Sequence, residues 1–145
     1  MYAYSGQPYK IADKARYINN ELYTDQPDGL SGNEDCGQMS AWYIFSSIGF
    51  YPVNPSNGAY VFGSPLFDNV EIDVPGRKKF TVKTVNNSDE NIYIQSVFLN
   101  GKKYDYSYIT HKQITSGGEL KFIMGSKPNY GFGVNKKYRP KSIVY

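Results

Sequence analysis

The chain has 145 residues, a formal net charge of +3 and 17% aromatic residues, 15 Tyr among them, enough for one ordinary hydrophobic core with a small appendage. Its positive charges are scattered, densest at Arg77-Lys78-Lys79, which excludes a nucleic-acid-binding stripe, while a lone Cys36 and a lone His111 exclude an internal disulfide and a Cys/His metal centre. No apolar run approaches the roughly 18 residues of a membrane span, and Met1–Gly6 has neither the basic nor the apolar region of a signal peptide.

Residues 8–24 read as a helix. Pro8 suits its first turn, and Ile11, Ala15, Ile18 and Leu22 recur at helical spacing, with Tyr9, Tyr17 and Tyr23 widening the apolar face. The helix ends before Thr24-Asp-Gln-Pro-Asp-Gly29, a dense turn signal. A glycine-hinged acidic loop follows, in which Asn33, Glu34 and Asp35 crowd three oxygen-bearing side chains onto one turn. Asp35 stands where it is expected to cap the next helix, about 36–48, whose apolar face is Met39, Trp42, Tyr43, Phe45 and Ile48. Gly49 stops that helix and Pro52 prevents its resumption. Such a helix–loop–helix pair does not enclose a core by itself.

Beyond Val53-Asn-Pro-Ser-Asn-Gly58 the pattern changes to period two. Strands are expected at 59–63, 69–74, 79–85, 92–99, 102–106 and 119–124, with Asn100-Gly101 as a hairpin turn and a single helical turn near His111. The alternation in Phe80–Val85 and Ile92–Leu99 is that of an antiparallel sandwich. The tail from Tyr130 is basic and broken by Gly and Pro, and is expected to lie on the surface or to be mobile. The fold class is therefore α+β, an N-terminal helix pair over residues 1–52 followed by an antiparallel β-sandwich-like domain over residues 53–145.

The string Gly32-Asn-Glu-Asp-Cys-Gly-Gln-Met-Ser-Ala-Trp-Tyr43, followed by Gly49-Phe-Tyr-Pro-Val53, resembles the signature near the C-terminus of glycoside hydrolase family 92. Thr24-Asp-Gln-Pro-Asp-Gly-Leu30, Gly63-Ser-Pro-Leu-Phe67, Asn100-Gly-Lys-Lys103 and Met124-Gly-Ser-Lys-Pro-Asn129 are similar to the family in the same order, so the resemblance runs from about Gly6 to Asn129. It implies a calcium-dependent exo-α-mannosidase, with the helix pair as a remnant of an (α/α)₆ barrel. It also implies that this chain is the C-terminal part of a longer, periplasmic, cell-surface or secreted protein. The partners implied are a mannose-containing glycan and the remainder of the parent chain, with self-association of the isolated piece through apolar helix faces.

Inverting glycoside hydrolysis needs a general acid and a general base with carboxyl groups about 6.5–9.5 Å apart. Glu34 and Asp35 are adjacent and do not supply that pair. By motif, Asp35 matches the family's general-base aspartate, and Asn33 stands where some members carry a second acid that positions the water; an amide also holds a water by hydrogen bonds. Glu34 reads as a loop-packing or salt-bridged residue. The general acid and most ligands of the implied Ca²⁺ are expected outside this chain, because calcium takes about six to eight oxygens. Trp42 and Tyr43 fit either core packing or sugar stacking, and so does the Tyr104–Tyr108 cluster. Cys36 has no nearby His partner in the sequence for nucleophilic chemistry. The competing reading is a non-catalytic carbohydrate-binding β-domain, which would present exposed, coplanar aromatics on one sheet face with Asp35 buried as a cap, and a third is a purely structural brace.

Overall fold

A computed structural model describes residues 1–142; the last three residues of the expected β-domain lie outside the described residues. Helix α1 (Tyr9–Glu21) follows Pro8, and α2 (Gln38–Ile48) follows a single 3₁₀ turn at Asp35–Gly37. Gly49 ends α2 at φ 113°, where its N–H reaches the carbonyls of Phe45 and Ser46. A Cβ there would come within 3.0 Å of Pro65 Cβ and 3.3 Å of the Phe122 ring, so conformation and packing both require glycine.

Three strands form one sheet in the order β1-β2-β7: β1 (Phe50–Asn54), β2 (Ala59–Phe62) and β7 (Tyr108–Thr110). Sequence periodicity misses β1 because Pro52 lies inside it. The strand tolerates proline because it is an edge, with its register broken between Tyr51 and Asn54. Five strands form the second sheet in the order β3-β4-β8-β5-β6: β3 (Asn69–Val74), β4 (Lys78–Val85), β5 (Tyr93–Leu99), β6 (Lys102–Lys103) and β8 (Gly118–Gly125). The expected strand at 102–106 shortens to two residues. Asn100 and Gly101, at φ 51° and 76°, make the hairpin turn. Helix α3 (His111–Thr115) carries a capping box between Thr110 and Gln113.

The sandwich-like arrangement is observed with one departure: β4 and β8 run parallel, pairing Val82 with Leu120 and Thr84 with Phe122. Both sheets bury alternate residues in one core, which includes Phe50, Phe62, Phe80, Val97, Ile109, Leu120 and Phe122. Phe62 and Phe122 meet edge to face at 5.1 Å. The tail lies largely on the surface, as expected, with Tyr130, Gly131 and residues 134–137 exposed, but it is also docked. Phe132 packs against the core, Ser107 N donates to the Tyr138 carbonyl at 2.9 Å, and Pro140 is buried. A backbone that accepts these bonds from Ser107 and buries Pro140 is a strap, not a loose end.

The helices attach to this core through polar contacts as much as apolar ones. Arg16 is only 7% exposed. Its Nε donates to Ser64 Oγ at 3.0 Å, and its Nη2 donates to the Pro65 carbonyl at 2.6 Å and Asn87 Oδ1 at 2.5 Å. Ser64 Oγ passes the chain on to the Ile92 carbonyl, and Asn87 Nδ2 to the Leu66 carbonyl. One guanidinium thus ties α1 to the β2–β3 and β4–β5 connections.

Two tyrosines make the fold sensitive to strong alkali. Tyr93 donates to Asp13 Oδ1 at 2.6 Å, which with partial burial pushes its pKa up to about 12. Burial pushes Tyr104 up to about 12 as well. Each folded value lies above the ordinary 10. The stability they contribute is therefore fully present below pH 10 and is lost as pH rises towards 12. In a phenolate absorbance titration, Tyr93→Phe and Tyr104→Phe are each expected to remove one late-ionising tyrosine, and both variants should lose less stability than the parent chain over that window. Ionisation of all tyrosines in one step near the ordinary value would contradict this.

Candidate active site

The acidic loop lies on the surface at the start of α2, and every residue from Ser31 to Gln38 is exposed. Its backbone is fixed in an unusual way. Cys36 and Gly37 are consecutive left-handed residues, at φ 54° and 73°, and Gly37 N donates to the Glu34 carbonyl at 3.1 Å to close the turn. Left-handed Gly37 occupies the position preceding α2 and has no side chain with which to cap it.

The cap comes from Glu34. Both of its carboxylate oxygens accept from Ser40 N, at 3.1 and 3.2 Å. This corrects the expectation that Asp35 caps α2, and it gives Glu34 a different role from packing or ion pairing. The left-handed turn brings Glu34 over the helix's free N–H groups, and with Glu34 in place Asp35 makes no bond to them. Among the described residues the side chains of Asp35 and Asn33 have no hydrogen-bond partner, so both point free oxygens outward from one turn.

The loop is latched from behind. Tyr23, just past the end of α1, donates to the Met39 carbonyl at 3.0 Å, stacks on Trp42 at 5.7 Å and packs tilted against Tyr43 at 4.9 Å. Burial, and then the Glu34 carboxylate, push the Tyr23 pKa up, which keeps the phenol a donor. Tyr23 also bridges to Leu30, closing the turn that starts the loop. Trp42 and Tyr43 are half-buried in this latch, and Tyr51 extends it 6.4 Å from Trp42. Sequence reading places Tyr23 only on an apolar face; its position one residue before a turn signal is the trace it leaves.

Of the other sequence candidates, the Tyr104–Tyr108 run and His111 do not join this site. The Tyr104–Tyr108 run is half-buried and meets edge to face, with Tyr106 at 88° to Tyr108 and 79° to Tyr138, so it forms no coplanar platform for a sugar. His111 pairs with the Tyr60 hydroxyl at 3.1 Å in the β-domain. Cys36 is exposed and free. Nor does the loop's donor set fit a calcium cage. Among the described residues no three His, Cys, Asp or Glu side chains converge, and the Glu34 carboxylate is already engaged by Ser40 N.

A cleft of about 210 Å³ opens between the helices and β1. Ile11, Ile18, Trp42, Tyr51, Val53 and Val61 are among its lining residues. The apolar stripe read on α1 is only partly buried in this chain, through Ala15. The buried line is Ala12, Ala15, Arg16 and Asn19, while Ile11, Ile18 and Leu22 stay half-covered. Among the described residues no helix is long and apolar enough to cross a membrane.

Comparison with known proteins gives a consistent family. A model described as the glycosyl hydrolase family 92 catalytic domain matches residues 1–126. The chain is 34% identical over 139 residues to an uncharacterised secreted glycosidase of Arthroderma benhamiae, covering 93% of this chain and 18% of that protein. It superposes with TM-score 0.92 and 44% identity on a family 92 α-mannosidase of Bacteroides thetaiotaomicron, solved with mannoimidazole, covering 98% of this chain and 19% of that one. A family 92 inverting mannosidase of the same organism matches with TM-score 0.91 and 41% identity over 97% of this chain and 19% of its own. The chain thus spans about a fifth of the length of these relatives. With its β-rich half, its helix pair and its acidic loop all falling within that one alignment, the chain belongs to glycosyl hydrolase family 92.

Proposed function

We propose that this chain is the C-terminal part of an exo-acting, inverting α-mannosidase that removes terminal α-mannosyl residues from N-glycans or mannans. On this reading residues 1–52 close the catalytic barrel and residues 53–145 brace it. Asp35 is the general base: its carboxylate takes a proton from a water held by Asn33, and the water oxygen bonds to the anomeric carbon on the face opposite the leaving oxygen. A carboxylic acid elsewhere in the parent chain protonates the leaving oxygen, and β-mannose is released. The observation that carries the reading is the free Asp35 carboxylate, projected from a capped and latched turn in a family of mannosidases. A base must be positioned yet uncommitted.

The half-covered stripe of α1 supports a parent chain larger than this one. Ile11 and Ile18 repeat at helical spacing, as residues do when another element packs on them, and here they line an open cleft. We assign that cleft to the remaining barrel helices, with self-association expected when the piece is alone. The secreted relative supports a periplasmic, cell-surface or secreted location for the parent. Calcium belongs to the parent's other residues, and no step assigned to this chain runs through it.

Turnover of an aryl α-mannoside tests the proposal. The full-length protein is expected to release β-mannose as the first product, seen by proton NMR, and the 145-residue chain alone is expected to release none. Release of α-mannose first, or hydrolysis by the isolated chain, would overturn it.

A further inference from the structure

Asp35 and Glu34 are neighbours with opposite fates: one carboxylate is spent on the backbone of α2 and the other is left free. Ser40 N is one of the helix's first N–H groups, which no residue within α2 satisfies. Gly37, at the capping position, offers it nothing. The acceptor must come from the loop, and Asn33, Glu34 and Asp35 are its oxygen-bearing side chains. The left-handed pair Cys36–Gly37 turns the chain so that Glu34, with its longer arm, spans the turn.

We propose that Glu34 is a positioning residue for Asp35: by capping α2 it keeps the Asp35 carboxylate out of the cap and directed at the attacking water. This rests on the reading of Asp35 as the base. Without the Glu34 carboxylate, the exposed N–H groups and the positive end of the helix dipole attract the neighbouring carboxylate. Asp35 then takes over the bond to the helix and leaves the water. The cap and the base are two duties for two adjacent acids, and Glu34 allows them to be separate.

The test uses the full-length enzyme and three substitutions of Glu34, beside Asp35→Asn. Glu34→Ala removes the acceptor and is expected to lower kcat about 10- to 100-fold with KM nearly unchanged, the size of effect that follows from misplacing a catalytic group by about 1 Å. Glu34→Gln keeps an amide oxygen that accepts from Ser40 N, and should retain most of the wild-type kcat. Glu34→Asp keeps the charge on a shorter arm that falls short of Ser40, and should behave like the alanine variant. A purely structural cap would lower the melting temperature in Glu34→Ala yet leave kcat of the folded enzyme intact. If Glu34→Ala does not fold, the pair Gln and Asp decides. Wild-type kcat in Glu34→Asp, or equal losses in Gln and Asp, overturns the proposal. An inactive Asp35→Asn beside a fully active Glu34→Ala sinks the positioning role alone, whereas an active Asp35→Asn sinks the base.

Discussion

Asp35→Asn in the full-length enzyme is expected to lower kcat by about 10³-fold, within the range that a positioned general base contributes. KM and melting temperature should stay close to wild type. The combination distinguishes two roles that a carboxylate before a helix commonly fills. A capping aspartate supports the helix end and its loss reduces stability by about 1 kcal/mol. Asp35 has no such bond, because Glu34 holds Ser40 N at 3.1 and 3.2 Å. The amide of Asn is isosteric, remains exposed and leaves the left-handed turn at Cys36 and Gly37 undisturbed. What it lacks is the charge and lone pair that accept the proton from water. The checks are steady-state kinetics with an aryl α-mannoside and a thermal melt on the same preparation. A drop in stability with kcat unchanged would return Asp35 to the capping role.

Arg16→Met should give the largest change in stability, a loss of about 2–4 kcal/mol in urea denaturation of the chain, from the buried acceptors it leaves unpaired. Methionine keeps much of the aliphatic stem, so the loss reports the guanidinium rather than a cavity. Three acceptors lose their donor at once: Ser64 Oγ, the Pro65 carbonyl and Asn87 Oδ1. A buried acceptor left unpaired costs about 1–3 kcal/mol, more than its bond contributes when made. The Asp89 carboxylate, 3.9 Å from Nη1 and 98% exposed, matters little. Arg16→Lys should recover only part of the loss, since an ammonium does not reproduce the guanidinium's planar fork. Loss of less than about 1 kcal/mol in Arg16→Met would mean that water replaces the guanidinium.

The two substitutions act on different links. Asp35 acts, on the proposed reading, where local structure becomes chemistry, and Arg16 lies where a helix becomes part of a fold. Neither role follows from residue type. The acid most favoured as a cap by sequence position is free, and a cation on a helix otherwise read by its apolar residues is buried. Both assignments are set by what the rest of the chain brings near.

Much was legible in the sequence because its causes are local. Two periodicities separate helices from strands, and the glycines at 49 and 101 mark a helix end and a hairpin through left-handed φ. The strand Asn69–Val74 matches its alternation residue for residue. The ordered motifs from Thr24 to Asn129 carry the family. The tertiary structure alone decided strand direction, since the alternation in β4 and β8 is the same for parallel and antiparallel pairing. It decided how α1 is buried: of the apolar stripe Ile11, Ala15, Ile18 and Leu22 only Ala15 is fully covered, while Ala12, Arg16 and Asn19 beside it are buried as well. It docked the tail, whose bonds to Ser107 join residues 31 apart. And it chose Glu34 as the cap, because two left-handed residues fold the turn back so that its longer side chain reaches Ser40 N, a placement that proximity in sequence does not reveal.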